Sequence, residues 1–198
     1  MRAIWFSLVF IAASWAVTRP FMPIERPPGV LVAAEPYQGE LLEDAPVFRT
    51  GDWVLKPLTT YEIQARVLGI SRYRFDSVAD IAPYDLLLGW GPMSDSAVVD
   101  DMTFDQRGRF GYWSFPYGAS LDEREINRHV ANTHPIPANE RVRDRIASLK
   151  VGSVVRLRGH LVEAIHPAGG EPWRSSLTRT DRGAGACEII YVESISTR

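Results

Sequence analysis

A cluster of arginine and hydroxyl side chains near the C-terminus carries the clearest candidate chemistry in this sequence. Guanidinium groups can bind an anion with paired hydrogen bonds, and hydroxyls and backbone N–H groups at a glycine turn add further donors. In a strand, Arg174 and Ser176 share one face and Ser175 takes the other. The same residues also suit a solvated strand end in which Asp181 pairs with Arg179. The sequence predicts a site for a small anionic ligand formed by Arg174, Ser175, Ser176, Arg179, Asp181 and Arg182.

A second polar cluster contains two histidines five residues apart, with an asparagine between them: His129, Asn132 and His134. Imidazoles are frequent zinc ligands, but zinc needs three or four ligands, and no H-E-x-x-H motif or cysteine pair accompanies them. We therefore predict no metal and no cofactor. The structural interpretation is that His129 and Asn132 end a helix while His134 forms hydrogen bonds in the next turn.

A catalytic triad can also be written from these residues. Ser176 or Ser175 would be the nucleophile, His134 the general base and Asp95 the group that orients the histidine, because triads are assembled in space rather than in sequence. However, the chain has no G-x-S-x-G motif, and the serines fall within a predicted strand rather than on a strained turn. The sequence favours a non-enzymatic binding module, with a periplasmic hydrolase as the alternative.

The chain has a single cysteine, Cys187. This count excludes an internal disulfide and a zinc site built from several cysteines. Cys187 lies in the apolar stretch ACEIIYV, so we predict a buried, unreactive thiol.

An aromatic stretch is a further candidate for binding. Tyr112, Trp113, Phe115 and Tyr117 lie within six residues and could form a stacking platform for bases or sugars. Without a basic groove beside them, packing in the core is the favoured interpretation.

The elements that must position these residues are mainly strands. Apolar and polar residues alternate over 52–70 and 155–163, the period of two that indicates a strand with one buried face. An aromatic-rich strand is predicted over 110–115. Two more strands are predicted over 173–178 and 186–194, joined by a turn whose glycines permit positive φ.

Two short helices complete the predicted fold. The first begins with a capping box at Ser120 and ends at Pro135 and Pro137, and the second is capped by Asn139. A helical turn is predicted over 83–88. These elements favour an α+β, mainly β fold: an OB-like small curved β-barrel with two short helices, preceded by an N-terminal apolar helix.

The N-terminus has the pattern of an export signal. Residues 3–17 carry no charge and follow Arg2, as in a signal peptide or membrane anchor. As a helix this segment would rise about 22 Å, short of the roughly 30 Å hydrocarbon core, so both cleavage and retention stay open. If it is retained, residues 3–17 make the membrane a partner. We predict a periplasmic or inner-membrane-anchored protein of the cell envelope, with the C-terminal domain outside the cytoplasm.

The rest of the chain divides into two parts. Six prolines between residues 18 and 50 favour an extended tether without helix or sheet hydrogen bonds. Residues 51–198 are predicted to form a single globular domain. The 22 basic and 24 acidic side chains give a net charge of −2, so no basic field favours nucleic-acid binding.

Several blocks of the sequence resemble a family of uncharacterised bacterial proteins with one N-terminal apolar segment. The resemblance rests on RPPGVL at 26–31, DLLLGWGPMSD at 85–95, HVANTHPIPA at 129–138 and WRSSLTRTDRGAGACE at 173–188. It implies a bacterial source and a membrane-associated or exported location. It brings no activity and therefore no catalytic residues.

Overall fold

The computed structural model describes residues 22–118, 121–178 and 185–198, and over these ranges the chain is mainly β. Its strands are β1 (Tyr37–Leu41), β2 (Phe48–Thr50), β3 (Trp53–Arg72), β4 (Tyr84–Gly89), β5 (Thr103–Arg107), β6 (Phe110–Ser114), β7 (Val130–Pro137), β8 (Val154–Ile165), β9 (Trp173–Arg174) and β10 (Glu188–Thr197). The described helices are α1 (Ser96–Val99), α2 (Glu123–Arg128) and α3 (Glu140–Ala147), with a 3-10 turn at Gly91–Ser94 before α1. The mainly β prediction is confirmed, and the described helices number three rather than two.

The 20-residue strand β3 organises the large sheet. Along one edge it pairs with β8 from Val54 to Arg66. Along its length it also pairs in turn with β2, β1 and β4. The pairings β3–β4, β4–β7, β7–β10, β10–β8 and β8–β3 return to their starting strand, and β7–β10 is the parallel pair among them. Because β1, β2 and β9 add to this ring, the sheet is larger than a simple closed barrel.

The interior of the ring holds the main core. Ile63 on β3, Leu86 on β4, Leu157 on β8 and Ile190 on β10 all belong to it and are fully buried. The alternation predicted for β3 and β8 is confirmed. One exception is Arg66, predicted on the wet face of β3, which is buried and donates to Ser96 Oγ at 2.8 Å.

Strand β4 runs from Tyr84 to Gly89, so the helical turn predicted over 83–88 is wrong. Leu86 and Leu88 face the ring interior, and Leu87 packs into a second cluster on the opposite face. Because both faces of β4 are covered, its three central leucines, Leu86, Leu87 and Leu88, form a continuous apolar run. Such a run lacks the alternation that distinguishes a strand from a helix in sequence.

The predicted helix over 120–135 is corrected at both ends. Asp122 caps α2 by accepting from Glu125 N, and Ser120 lies outside the described residues. The helix ends at Arg128, and the prolines that were expected to end it belong to β7. Pairing of β7 with β4 ends at Thr133, so Pro135 faces an unpaired edge on that side. A missing N–H costs no sheet hydrogen bond there.

Residues 37–41 and 48–50 pair with the large sheet, so the prediction that the Pro-rich segment 18–50 forms no sheet hydrogen bonds is wrong. Strands β1 and β2 both pair with β3. Further upstream, Ile24 N donates to Val151 O at 2.8 Å, and Gly29 N donates to Asp95 Oδ1 at 2.7 Å. The predicted signal or anchor at 1–17 lies outside the described residues. Within the described ranges, no helix is long and apolar enough to cross a membrane.

Candidate functional site

The outer face of β4 and β7 is covered by the β5–β6 hairpin. Leu87 and Asn132 are opposite each other in the β4–β7 pair. A Cβ added to Gly111 of β6 would lie 2.7 Å from Leu87 Cδ1 and 3.3 Å from Asn132 Cβ. Gln106 of β5 donates its amide to Asn132 Oδ1 at 2.9 Å. The hairpin therefore packs directly on this face, and glycine at 111 permits the close approach.

A carboxylate sealed under the hairpin connects two basic side chains. Asp85 of β4 is fully buried, and its Oδ1 lies 2.7 Å from both His134 Nδ1 and Arg109 Nη1. Its Oδ2 is buried without a hydrogen-bond partner among the described residues. We refer to Asp76, Asp85, Arg109 and His134 as the Asp85 network.

Arg109 joins the hairpin to the rest of this network. Gly108 and Arg109 have φ of 56° and 73°, as both central residues of a two-residue type I′ hairpin turn require. The Arg109 guanidinium donates to Asp76 at 2.7 and 3.0 Å and to Ala82 O at 2.8 Å. It also lies 4.0 Å from the centre of the Tyr73 ring. These contacts of the Arg109 side chain offset the energetic cost of its positive φ, a backbone conformation that favours glycine.

The acidic and basic side chains of the Asp85 network stabilise each other's charged forms. Burial alone would lower the pKa of Arg109, but the Asp76 and Asp85 carboxylates raise it, so the guanidinium stays charged. Burial acts to raise the pKa of Asp76, yet hydrogen bonds from Arg109 and Val78 N hold it below its usual value. Burial raises the pKa of the Tyr73 hydroxyl. Arg109 is therefore a permanent cation placed to bind two carboxylates.

His134 occupies the position of an oriented base. It lies in β7 rather than in the predicted turn, and its ring packs against Trp173 with 5.0 Å between centres. Asp85 holds Nδ1 at 2.7 Å. Asp85 thus takes the orienting role predicted for Asp95. Asp95 instead caps α1 by accepting from Ala97 N at 2.9 Å.

The other members of the histidine cluster have separate structural roles. His129 is the C-cap of α2, as the structural interpretation predicted, and its Nδ1 lies 2.9 Å from Glu125 O. Asn132 lies within β7 instead of at the helix end and donates to Arg109 O at 2.8 Å. In residues 22–118, 121–178 and 185–198, no group of three or more His, Cys, Asp or Glu side chains could hold a metal ion.

The serines of the predicted anion site are used to fold their own segment. Ser175 Oγ accepts from Ile189 N at 3.0 Å and donates to Ser176 O at 2.9 Å. Ser176 Oγ donates to Thr178 O at 2.8 Å. Both serines are buried. Only Trp173 and Arg174 of the predicted 173–178 strand pair with β8.

The arginines of that site are only partly described. Arg174 forms an exposed ion pair with Glu163 at 2.7 Å. Arg179, Asp181 and Arg182 lie outside the described residues. The described part of the segment therefore offers hydroxyls and a guanidinium that already have protein partners.

An aromatic pocket opens beside the Asp85 network, between the hairpin, α2, β7 and the residues that lead into β10. Its volume is about 240 Å³. Trp90, one of its walls, is 2% exposed, and its buried Nε1 has no hydrogen-bond partner among the described residues. The pocket is lined by Trp90, Phe110, Gly111, Trp113, Glu123, Asn127, Val130, Ala131, Asn132, Thr178, Ala186, Cys187 and Glu188.

Cys187 is less buried than predicted. It is not in a disulfide, it is half-buried, and it lies in the wall of the aromatic pocket. Asn132 Nδ2 approaches its sulfur at 3.6 Å. The sequence placed the thiol in the core because it precedes an apolar strand, but β10 begins only at Glu188.

Sequence reasoning missed Asp85, Arg109 and the polar end of Trp90. Asp85 immediately precedes the apolar run at 86–88, and Arg109 follows Gly108 at a two-residue turn. The sequence did contain one signal for Arg109, because a two-residue hairpin turn favours glycine at the position that this arginine occupies. No family model, curated protein or solved structure matches this chain.

Proposed function

We propose that this protein is a non-enzymatic binding module in which the aromatic pocket receives a ring-sized group of a ligand or partner. The observation that carries the proposal is the buried Trp90 Nε1, which has no acceptor among the described residues. Buried donors are nearly always paired, and an unpaired one costs about 1–3 kcal/mol. An acceptor atom on a bound ligand would satisfy this N–H once the neighbouring side chains move to uncover it.

The fold we propose for the module is OB-like. Support comes from the ring of pairings β3–β4–β7–β10–β8, from the parallel β7–β10 pair, and from α3, which connects β7 to β8. An OB-fold is a five-stranded, partly open Greek-key barrel, and loops and strand faces at one side of it bind ligands. The β5–β6 hairpin is an insertion between β4 and β7 on this interpretation.

The size and the charge of the pocket limit what it can hold. Its volume of about 240 Å³ is below the roughly 300–1,000 Å³ of sites for drug-sized ligands, so it suits one ring or one side chain. Glu123 and Glu188 line it, which disfavours an anion inside. A small anionic ligand at 174–182 stays a separate proposal, and it would compete with Glu163 for Arg174.

A screen of ring-sized fragments by ligand-observed NMR tests the pocket. We expect heteroaromatic fragments with an acceptor atom to bind, and Trp90→Phe to weaken them up to about tenfold because one hydrogen bond is lost. Fragments without an acceptor should bind both proteins equally. Phe75→Ala, which removes a ring that is 97% exposed and outside the pocket, is the matched control.

Fragment binding that is unaffected by both Trp90→Phe and Trp113→Ala would contradict the proposal. Thermal melting of each variant shows whether a loss of binding reflects unfolding. The same melts, run with a saturating fragment, should show a rise in Tm for the wild type.

A hydrolase is the second candidate, and the 2.7 Å contact between Asp85 and His134 favours it. The nucleophile proposed for it, Ser176, donates its hydroxyl to Thr178 O. The binding-module proposal predicts no turnover of generic ester or phosphoester substrates. Turnover that is lost in both Ser176→Ala and His134→Asn would support the hydrolase instead.

The location we propose is the cell envelope, with the folded domain outside the cytoplasm. The supporting observations are the uncharged stretch 3–17 behind Arg2 and the resemblance to bacterial proteins that have one N-terminal apolar segment. Alkaline phosphatase fused to the C-terminus should be active in cells. An inactive phosphatase fusion, together with a fluorescent cytoplasmic fusion, would contradict this location.

A further inference from the structure

The aromatic pocket continues into an open groove on the hairpin surface. We define the aromatic shelf as this groove, which is lined by Gly111, Tyr112, Trp113, Ser114, Phe115, Glu123 and Asn127. Four of these residues, Gly111, Trp113, Glu123 and Asn127, also line the pocket. A ligand that fills the pocket can therefore extend along the shelf without leaving the protein surface.

The shelf displays rings that the core does not use. Tyr112 is 45% exposed and Phe115 is 37% exposed. Arg107 lies 5.1 Å from the centre of the Tyr112 ring and packs against it. Trp113, between the two exposed rings, points inward and forms a wall shared by pocket and shelf. Tyr112 and Trp113 are neighbours on β6 and point to opposite faces, so Trp113 provides a ring for the pocket and Tyr112 one for the surface.

The described polar residues that line the pocket are carboxylates, amides and a hydroxyl, although the Arg107 guanidinium lies against Tyr112 at the shelf. Glu123, Asn127, Asn132 and Glu188 line the pocket, whereas its described lining residues include no lysine or arginine. Carboxylates and amide oxygens accept hydrogen bonds from hydroxyl groups, and the Trp90 N–H donates one. This combination suits a neutral molecule rich in hydroxyls.

Stacking sets the second requirement on the ligand. The face of an aromatic ring is electronegative, so it attracts polarised C–H groups on the face of a saturated ring. Sugar rings offer such a face together with hydroxyls at their edges. Nucleobases also stack on aromatic rings, but their phosphates require lysine or arginine, and Glu123 on the shelf would repel them.

We propose that the site binds an oligosaccharide, with one terminal ring in the aromatic pocket and the following rings on the aromatic shelf. This inference rests on the proposed function, because it names the ligand class of the same pocket. The carboxylates need only accept hydrogen bonds from hydroxyls, which is compatible with other partners on their remaining lone pairs.

Calorimetric titration of the full chain with neutral oligosaccharides of one to six rings tests the proposal. The probes are oligomers of N-acetylglucosamine and of glucose, followed by an array of neutral glycans. Affinity should rise with chain length until the shelf is covered and then level off. Trp113→Ala should weaken binding at every length by about tenfold or more, because it removes the ring shared by pocket and shelf.

Two further variants separate pocket from shelf. Tyr112→Ala should weaken only the longer oligomers, and Trp90→Phe should weaken all lengths equally. Phe75→Ala is the control that should change neither. Equal effects of Tyr112→Ala on one ring and on six rings would contradict the placement of the chain along the shelf.

The remaining outcomes distinguish the sugar assignment from the proposed function. If ring-sized fragments bind in a Trp90-dependent way but no glycan does, the pocket is real and the ligand class is wrong. If an oligothymidine strand binds instead, with affinity that falls steeply as salt rises, the ligand is a nucleic acid and the proposal is overturned. If neither fragments nor glycans bind, both proposals fail.

Discussion

Two carboxylates on this sheet each bind two basic side chains, one in water and one sealed from it. Glu62 of β3 accepts from Arg156 and Arg158 of β8, both at 2.6 Å, on an exposed face of the sheet. Asp85 accepts from Arg109 and His134 beneath the hairpin, where it is fully buried. Both carboxylates bind two basic side chains, but Glu62 uses both of its oxygens in water, whereas Asp85 uses only Oδ1 and is buried.

The comparison of the two carboxylates shows that an ion pair affects stability most where it is buried. Exposed pairs contribute about 0–1 kcal/mol because water and salt screen them. A buried pair costs much to desolvate, but removing one partner leaves the other charge buried and uncompensated. The Glu62 group therefore adds little to a sheet that already pairs strand to strand. The Asp85 network fixes the hairpin that forms one wall of the aromatic pocket.

The largest expected effect comes from removing the buried carboxylate. Asp85→Ala leaves the guanidinium of Arg109 with one fewer anion in a buried site, and we expect a loss of about 3–5 kcal/mol in the free energy of unfolding. Urea titration followed by tryptophan fluorescence measures it. Glu62→Ala is the matched control. Similar losses in the two variants would contradict the role given to burial.

The next-largest effect on stability is expected at Arg109, where the strain of the positive φ opposes the stabilising contacts of the side chain. Arg109→Ala loses the contacts with Asp76 and Asp85 and keeps the positive φ, so it should cost about 3 kcal/mol or more. Arg109→Gly loses the same contacts but relieves the backbone, and it should be more stable than Arg109→Ala by about 1 kcal/mol.

Hydrogen exchange at the β5 and β6 amides measures the loosening of the hairpin in both Arg109 variants. Arg107→Ala, at a strand residue just before the turn with a 73% exposed side chain, is the control and should leave exchange near wild type. If Arg109→Gly matches or exceeds the wild type in stability, the guanidinium does not hold the hairpin.

A smaller effect is expected from pH. The pKa of Asp76 is lowered in the folded protein, so the unfolded state binds the proton more readily. Its contribution is complete above the unfolded pKa of about 4 and is lost as pH falls through the folded value. Melting temperature should therefore fall below about pH 4, and Asp76→Asn should flatten this part of the profile. An unchanged profile in Asp76→Asn would assign the acid transition to other carboxyls.

The smallest effect should come from neutralising the exposed carboxylate. Burial would raise the pKa of Glu62, but hydrogen bonds from Arg156 and Arg158 lower it, which indicates favourable contacts. Because all three side chains are solvated, Glu62→Gln should cost less than about 1 kcal/mol, and the cost should shrink in high salt. A cost that salt does not change would mean that the group is effectively desolvated.

The sequence by itself determined the elements in which one face meets water. Strands β3 and β8 follow from alternation, β6 follows from its aromatic residues, and the Asn139 cap marks the start of α3, because these signals lie within a few residues of each other. It also indicated a stacking platform near Trp113, although core packing was favoured there. For these segments, the structure that nearby residues favour is the one that the folded protein adopts.

Only the tertiary structure decided the elements covered on both faces and the contacts between distant residues. Strand β4 has no alternation because the ring interior covers one face and the hairpin the other. Asp85 and His134 are 49 residues apart, and Arg109 reaches Asp76 across 33. Nothing in the spacing of these residues predicts their contact, since the register of β4 with β7 and the turn of the hairpin bring them together. The unpaired Trp90 N–H, which carries the functional proposal, exists only because those elements close around it.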